Sequence, residues 1–417
     1  MYFPPLLQAQ KRPVLPRLDH SRPKRYDTLM PRILVIGGGI IGVASAYFLG
    51  KAGFEVHLLE REITLGALTT AASLQAVRAQ FADPVNIAFM KESLSFYETF
   101  AQQLDLPDHD IGFHQQGYLF VTTDEAIAAR QRDRVAFQHA HGLEDVEYLE
   151  GEALHRRFPY LAGEALAATF RQRDGWISAH EALLGFRQAA RRHNVRFHLQ
   201  TEALSLIVRG GRVVGVRTPA GDWEADAVVL AAGPFTAQLA RTADVELPLQ
   251  PVRRHRVVIG EHDAIPHWAP MTIDEDTGAH WRPEGPGAAL AWAEPEAPSP
   301  PQRHVSPDPN FTFRVMEGVY RLCPFWLEVA ETLKRDNVFL HAGQYTVSPD
   351  HNPLIGPVPD RPGLWVISGF SGHGVMAAPA SARLLADLLA GRVPEDDNPY
   401  AVDRPGLEAA EGEKMVL

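Results

Sequence analysis

The chain has 417 residues, 45% of them hydrophobic and 22% charged, with a net charge of −11; this is globular usage, and it excludes a collagenous or coiled-coil chain. The acidic balance argues against nucleic acid as a partner, and the single cysteine, Cys323, excludes a disulfide framework, a CxxC redox pair and cysteine-ligated zinc or iron–sulfur sites. At roughly 150 residues per domain the length fits two or three domains, and the cysteine usage points to a reducing compartment, most simply the cytoplasm.

Residues 1–29 are proline-rich and show no helical period. Lys11, Arg12, Arg17, Arg22, Lys24 and Arg25 stand against Asp19 and Asp27. This reads as a disordered leader; alternatively, translation starts at Met30, directly before the first strand. Residues 33–50 (ILVIGGGIIGVASAYFLG) carry no charge, and behind a basic leader they resemble a signal peptide or a membrane anchor. Glycines at 37, 38, 39 and 42 are costly inside a lipid-spanning helix, whereas a strand–turn–helix phosphate site requires them. No integral membrane span is expected.

That site is built from Arg32–Ile36 as a buried strand, Gly37-x-Gly39-x-x-Gly42 as the turn and helix opening, and Phe54–Leu59 as the second strand. Gly37 permits the tight turn, Gly39 lets a pyrophosphate approach the backbone, and Gly42 lets the helix lie close on the strand. The helix N-terminus, at Ile40 and Ile41, offers free N–H groups to phosphate. Glu60, at the end of the second strand, is placed to accept from a ribose 2′-OH. The pattern specifies a dinucleotide without choosing between NAD and FAD; the acid argues only against NADP.

Further along, Asp83 N-caps a helix to Leu104 with Pro84 at its first position. GYLFV at 117–121 is a strand, and Thr122 with Glu125 forms a capping box for a surface helix to His141. A second box, Ser178 with Glu181, opens a helix to about His193. Strands follow at 195–199, 203–208 and 212–217, the last two joined as a hairpin by Gly210-Gly211. Ala227–Ala232 is a buried strand ending at Gly233. Residues 241–340 show strand-like runs broken by proline and no βαβ rhythm, with an exposed proline-rich insertion at 294–309. Gly363–Ser368 is a strand. It leads through GFSGHG at 369–374 into a helix from about Met376 to Ala390, a second glycine-rich strand–turn–helix. The fold class is α/β: a Rossmann-like dinucleotide domain from 30–108, 166–240 and 341–393, and an interleaved antiparallel β-sheet substrate domain from 109–165 and 241–340. Residues 394–417 form a tail. The histidines show no metal spacing, so no metal site is expected.

Three separated motifs occur together: VIGGGIIGVASAYFLGKAGFEVHLLER at 35–61, HAGQYTVSPDHNPLIGPVP at 341–359 and GFSGHGVMAAPASARLLADLL at 369–389, with LPLQPVRRH at 247–255 between them. The chain thereby resembles the FAD-dependent amine and D-amino-acid oxidoreductases: sarcosine oxidase, glycine oxidase, dimethylglycine dehydrogenase and their relatives. The resemblance covers nearly all of residues 31–393. It implies an extended FAD, with Glu60 and Arg61 at the adenosine ribose, Thr69 and Thr70 beside the flavin edge, and Ala203 at the adenine. Gly233, Gly343, Gly372, His373, Gly374, Val375 and Met376 complete the FAD-binding set.

Departures from the family pattern carry their own implications. Relatives attach FAD through a cysteine at the position of Gly343 or through a histidine near 70; neither residue is present, so the FAD is expected to be noncovalent. The lysine that activates oxygen in sarcosine oxidase falls near Leu290, and this chain has no lysine between Lys91 and Lys334. The expected activity is therefore oxidation of the C–N bond of a small amine or amino acid to an imine, with hydride transfer to flavin N5, leaning to a dehydrogenase. The acceptor would be a quinone, an electron-transfer flavoprotein or oxygen. Arg78 matches the family's carboxylate-binding arginine, while its partner lysine is replaced by Met376. Arg78 and His373 are the candidate catalytic residues; His373 fixes the loop or hydrogen-bonds the flavin in preference to transferring a proton. Arg253, Arg254, His255 and Arg256 alternate along a strand, so at most two of them face a site. Two other functions remain open: a non-catalytic FAD-binding assembly or interaction factor, and an NAD-dependent Rossmann dehydrogenase.

Overall fold

The computed structural model describes residues 30–409 and Met415. The predicted leader at 1–29, and most of the tail beyond 409, lie outside the described residues. In chain order the first part contains β1 (Arg32–Ile36), α1 (Ile40–Lys51), β2 (Glu55–Leu59), α2 (Thr69–Ala72), β3 (Ala76–Val77), α3 (Pro84–Glu98), α4 (Phe100–Gln103), β4 (Tyr118–Thr122) and α5 (Glu125–Ala140). Next come β5 (Glu147–Glu150), α6 (Gly151–Arg157), β6 (Ala167–Arg171), β7 (Gly175–Trp176), α7 (Ala179–Ala190), β8 (Val195–His198), β9 (Ser205–Arg209), β10 (Arg212–Thr218), β11 (Gly221–Glu224), β12 (Ala227–Leu230) and α8 (Thr236–Arg241). The last part holds β13 (Gln250–Ile259), β14 (Met271–Asp274), β15 (Ala279–Glu284), β16 (Gly287–Trp292), α9 (Phe311–Tyr320), α10 (Trp326–Thr332), β17 (Val338–Val347), β18 (Leu354–Pro357), β19 (Leu364–Ser368) and α11 (Gly374–Leu389).

Two sheets organise the chain. The first has the strand order β18-β19-β12-β1-β2-β8 and is parallel except at β18. Its strands are near-continuous runs of Ile, Leu and Val because both faces are covered. On one face lie α1, α3, α7 and α11; on the other lie the β9–β10–β11 ribbon and α8. The eighteen-residue uncharged stretch is therefore β1, a glycine turn and most of α1, and among the described residues no helix is long and apolar enough to cross a membrane.

The second sheet runs β17-β13-β16-β15-β14-β4-β6-β5 and is antiparallel except where β14 meets β4. Its outer face is covered by α9 and α10 through Phe311, Val315, Trp326 and Val329. The inner face carries Tyr118, Phe120, Met271 and Ile273 together with Met415.

Several local expectations need correcting. Strand β6 pairs with β4 and β5 in the larger sheet, and β17 pairs with β13 along its whole length, so these segments leave the dinucleotide piece to which their neighbours in sequence belong. The N-cap of α5 is Asp124, whose side chain accepts from Ala126 N and Ile127 N; Thr122 stays in β4 and hydrogen-bonds Asp276. The helix after Asp83 stops at Glu98 and resumes as the short α4.

Candidate cofactor and substrate site

The first glycine turn is shaped by close approach. Gly37 has φ +112°, and a Cβ there would lie 2.5 Å from Ala231 O; a Cβ on Gly42 would lie 1.9 Å from Gly37 O. Only glycine fits both places, and the result is a helix start pressed against the strand ends. The first helical hydrogen bond of α1 is Val43 N to Gly39 O at 3.0 Å. Ile40 N donates to Thr70 Oγ1 at 3.1 Å, which ties α2 to the turn, and Thr69 Oγ1 donates to Gln344 O at 3.0 Å, which ties it to the larger sheet.

These elements enclose one cavity of about 540 Å³. Of the residues singled out from the sequence, Gly37, Gly39, Ile40, Ile41, Glu60, Arg61, Thr69, Thr70, Ala203, Gly233, Gly372, Gly374 and Val375 border it. Gly42 acts through packing. Gly343 borders a smaller neighbouring cavity, and Met376 is buried in the core behind α11. The carboxylate of Glu60 is held in place by Gly38 N at 2.6 Å and Glu62 N at 2.7 Å. The Arg61 guanidinium lies 3.7 Å over the ring of Phe235. At the opposite end α11 begins: Ala377 N to His373 O, at 3.0 Å, is its first helical bond. The amides of Gly374, Val375 and Met376 precede that bond and carry the positive end of the helix dipole.

His373 is the N-cap residue of α11 and does so without a side-chain cap bond. Its ring stands edge-on to Phe81 at 5.1 Å, and its Nε2 is buried without a hydrogen-bond partner. Burial, reinforced by the nearby Arg78 and His351 charges, holds its pKa well below the usual histidine value, so the ring is neutral. Arg78 does not border the cavity. It is 1% exposed, donates to Gln80 O and Met415 O, and lies 4.0 Å over Phe81. Leu290 packs in the outer, helix-covered core; its neighbours Ala289 and Ala291 occupy the inner face, and neither is a lysine.

Sequence reasoning missed a set of residues on the same wall. Ser371 and Thr346 border the cavity, as do Pro301 and Arg303 of the proline-rich segment. That segment is not a free insertion: Arg303 pairs with Glu62 at 2.9 and 2.8 Å, and Gln344 holds Gln302 N, Ser299 Oγ and Pro300 O. A run of prolines signals no regular structure and says nothing about where the chain is pinned.

The cavity fits FAD. The N-termini of α1, behind its glycine turn, and of α11 both border the cavity, together with the Glu60 carboxylate, Thr69 and Thr70 of α2 and the loop before α11. The position of the relatives' cysteine link is glycine here, and a Cβ on Gly343 would lie 2.6 Å from Ala72 Cβ. Cys323 is buried in the outer core, where its Sγ accepts from Trp281 Nε1 at 3.3 Å and burial pushes its pKa up to about 12. Among the described residues no three His, Cys, Asp or Glu side chains gather as a metal site.

Comparison with known proteins agrees with this geometry. Residues 32–388 match the DAO family, FAD dependent oxidoreductase. Glycine oxidase of Pseudomonas aeruginosa is 30% identical over 89% of this chain and 98% of its own. FAD-dependent oxidoreductase domain-containing protein 1 of Bos taurus is 27% identical over 89% of this chain and 82% of its own. Mitochondrial dimethylglycine dehydrogenase of Mus musculus is 28% identical, but the match spans only 43% of its length. Among solved structures, L-proline dehydrogenase from P. horikoshii superposes with a TM-score of 0.80 at 25% identity, covering 92% of this chain and 99% of that one. A match over most of the chain sets aside the nicotinamide reading: this protein belongs to the DAO family of FAD-dependent oxidoreductases.

Proposed function

We propose that this oxidoreductase oxidises the C–N bond of a small amine or amino acid to an imine. The observation that carries the reading is the convergence of both glycine-rich helix starts on one cavity that β17 of the larger sheet also borders through Tyr345 and Thr346. The cavity between the two helix starts thus also reaches the larger sheet. The names of the similar proteins, glycine oxidase and L-proline dehydrogenase, support the same substrate class.

When bound, FAD would supply the electron sink for the hydride equivalent lost from the carbon next to the amine nitrogen. The remaining work belongs to the chain. The amine enters neutral, and its nitrogen lone pair becomes the second bond of the imine. The N-terminal amides of α11 stabilise negative charge without reorganising. His373, neutral and enclosed, fixes the loop before α11. The segment pinned by Gln344 and Arg303 supplies part of this wall through Pro301 and Arg303. Water then converts the released imine to a carbonyl compound and an amine. The two electrons pass to a quinone or an electron-transfer flavoprotein in preference to oxygen. This dehydrogenase assignment is supported by alanines 289 and 291, which stand on the inner face where no lysine is available.

The test is spectroscopic. Purified holoprotein is titrated without oxygen against N-methylated amino acids, cyclic imino acids and D-amino acids. Bleaching of the visible flavin bands by one class, with slow return in air and fast return with a quinone, is the expected result. A yellow protein that no amine bleaches defeats the reading and favours a non-catalytic flavoprotein.

A further inference from the structure

The proline-rich segment after β16 has neither helix nor strand over 293–302. Prolines at 295, 298, 300 and 301 fix φ and withhold N–H donors, so the segment is held by the groups around it. Both of its ends are tied to the larger sheet and α9. Arg314 of α9 holds Glu294 at 2.9 and 3.0 Å and Asp308 at 2.9 Å. Side chains alternate along β13. Arg253 faces the segment and binds Glu296 at 2.8 and 2.6 Å and Ser306 O at 3.1 Å. His255, on the same side, accepts from Asp308 N at 3.0 Å, while Arg254 takes the other side, over Tyr345. In the middle Gln344 of β17, 2% exposed, donates to Ser299 Oγ and Pro300 O and accepts from Gln302 N.

One residue further on, the chain reaches the other sheet. Arg303 Nε and Nη2 donate to both oxygens of Glu62, at 2.9 and 2.8 Å, a bidentate pair with a residue on the loop after β2. Glu62 N in turn donates to Glu60 Oε1 at 2.7 Å, and Glu60, Glu62, Pro301 and Arg303 all border the FAD cavity. The Arg303 hydrogen bonds hold the Glu62 carboxyl below the usual carboxylate range, so the pair is ionised at neutral pH. The Arg303 side chain is 51% exposed, against 36% for Arg253 and 39% for Arg314, so this is the tie that water reaches first. The helices that begin at the cavity belong to the buried core. A segment without regular structure, joined toward the first sheet through an exposed side-chain pair, moves at far smaller cost.

We propose that residues 294–308 are a strap across the FAD cavity and that the Arg303–Glu62 pair is its latch, which opens for the cofactor to enter or leave. Both feet of the strap stay on the larger sheet and α9, at Glu294–Glu296 and Ser306–Asp308, and the tip at Arg303 swings away from Glu62. The latch governs the exchange of FAD and is independent of which compound is oxidised.

The experiment compares the full-length holoprotein with its Arg303→Ala, Glu62→Ala and doubly substituted variants, each first checked for bound flavin and for its melting temperature. Release is timed by flavin fluorescence after dilution into a flavin-scavenging protein, and entry by adding FAD back to the released protein. Each single substitution should speed release about two- to five-fold, the scale of a partly exposed ion pair, and should speed entry as well. The double variant should be no faster than the faster single one, because one pair is lost in all three; the effect of Glu62→Ala on the neighbouring Arg61 cancels in that comparison. Unchanged release in Arg303→Ala overturns the proposal, as do effects of the two substitutions that multiply. Faster release with unchanged entry would make Arg303 a direct contact of FAD, and slower release in Glu62→Ala would make Glu62 a repulsive charge beside the diphosphate; either result removes the latch.

Discussion

A guanidinium at 1% exposure must find acceptors where it sits, and Arg78 finds them in the backbone. Gln80 O lies two residues away, Met415 O is 337 residues distant, and the face of Phe81 lies beneath. Matching a family motif points to this arginine as a substrate residue, whereas the structure encloses it away from the cavity under a partner as distant in sequence as Met415. The glycine turn behaved differently. Gly37, Gly39, Gly42 and Glu60 were legible because they fall at fixed spacing within a single βαβ unit, although Gly37 is also pressed by Ala231 beyond it. Arg254 lay between these cases: the alternation was visible, but the sequence held no sign of which side faced the cofactor layer. The buried Arg78 leads to an expected outcome. Arg78→Ala should destabilise the holoprotein by about 2–4 kcal/mol in urea unfolding, since it leaves two enclosed carbonyls without their donor. A variant of normal stability whose only change is a raised KM would return Arg78 to substrate binding.

At the scale of elements, local signals were read well where one competing residue did not intrude. Asp83 and Pro84 start α3 as expected, and Ser178 Oγ accepts from Glu181 N at 3.2 Å to start α7. Around α5, Thr122 and Asp124 compete for the cap. Thr122 is drawn into β4 and its pairing with Asp276, which leaves Asp124 to accept from Ala126 N at 2.7 Å and Ile127 N at 2.9 Å. Asp124→Ala should therefore cost about 1 kcal/mol, whereas Glu125→Ala should cost less than half of that in the same thermal or urea titration; equal losses would restore the capping box. The region from 241 to 340 hid its strands for a different reason. An inner face that carries Arg254, Arg256 and Arg282 breaks the apolar alternation that marks a half-buried strand. Helix α9 did leave a trace, since Phe311, Val315 and Val319 repeat at four-residue spacing, but the neighbouring prolines masked it.

For the whole molecule, two sheets that border one cavity, each covered by helices, place many titratable groups out of water. Burial lowers the pKa of His193, His198, His255, His280, His341 and His373 alike. Each is depressed in the fold relative to the unfolded chain, so the unfolded state binds more protons and stability falls as pH drops below the ordinary histidine value. His280 gives the effect a size. It is 4% exposed, its Nδ1 hydrogen-bonds Gly278 O at 2.8 Å, and burial brings its pKa from 6.5 to about 4. Its contribution is fully present above pH 6.5 and is lost progressively down to about pH 4, amounting to about 2 kcal/mol between pH of about 7.5 and about 5. The carboxylates that the fold holds below their ordinary values, such as Glu62 and Asp276, lose their contribution only at lower pH. The histidines therefore set the first part of the acid limb. Urea unfolding of the holoprotein across that range should show this decline, and His280→Gln, which keeps a donor for Gly278 O but cannot titrate, should flatten it by about one proton's worth. An unchanged slope in the variant would mean that His280 is solvated or charged in the fold, and that the inner face of the larger sheet is wetter than its packing implies.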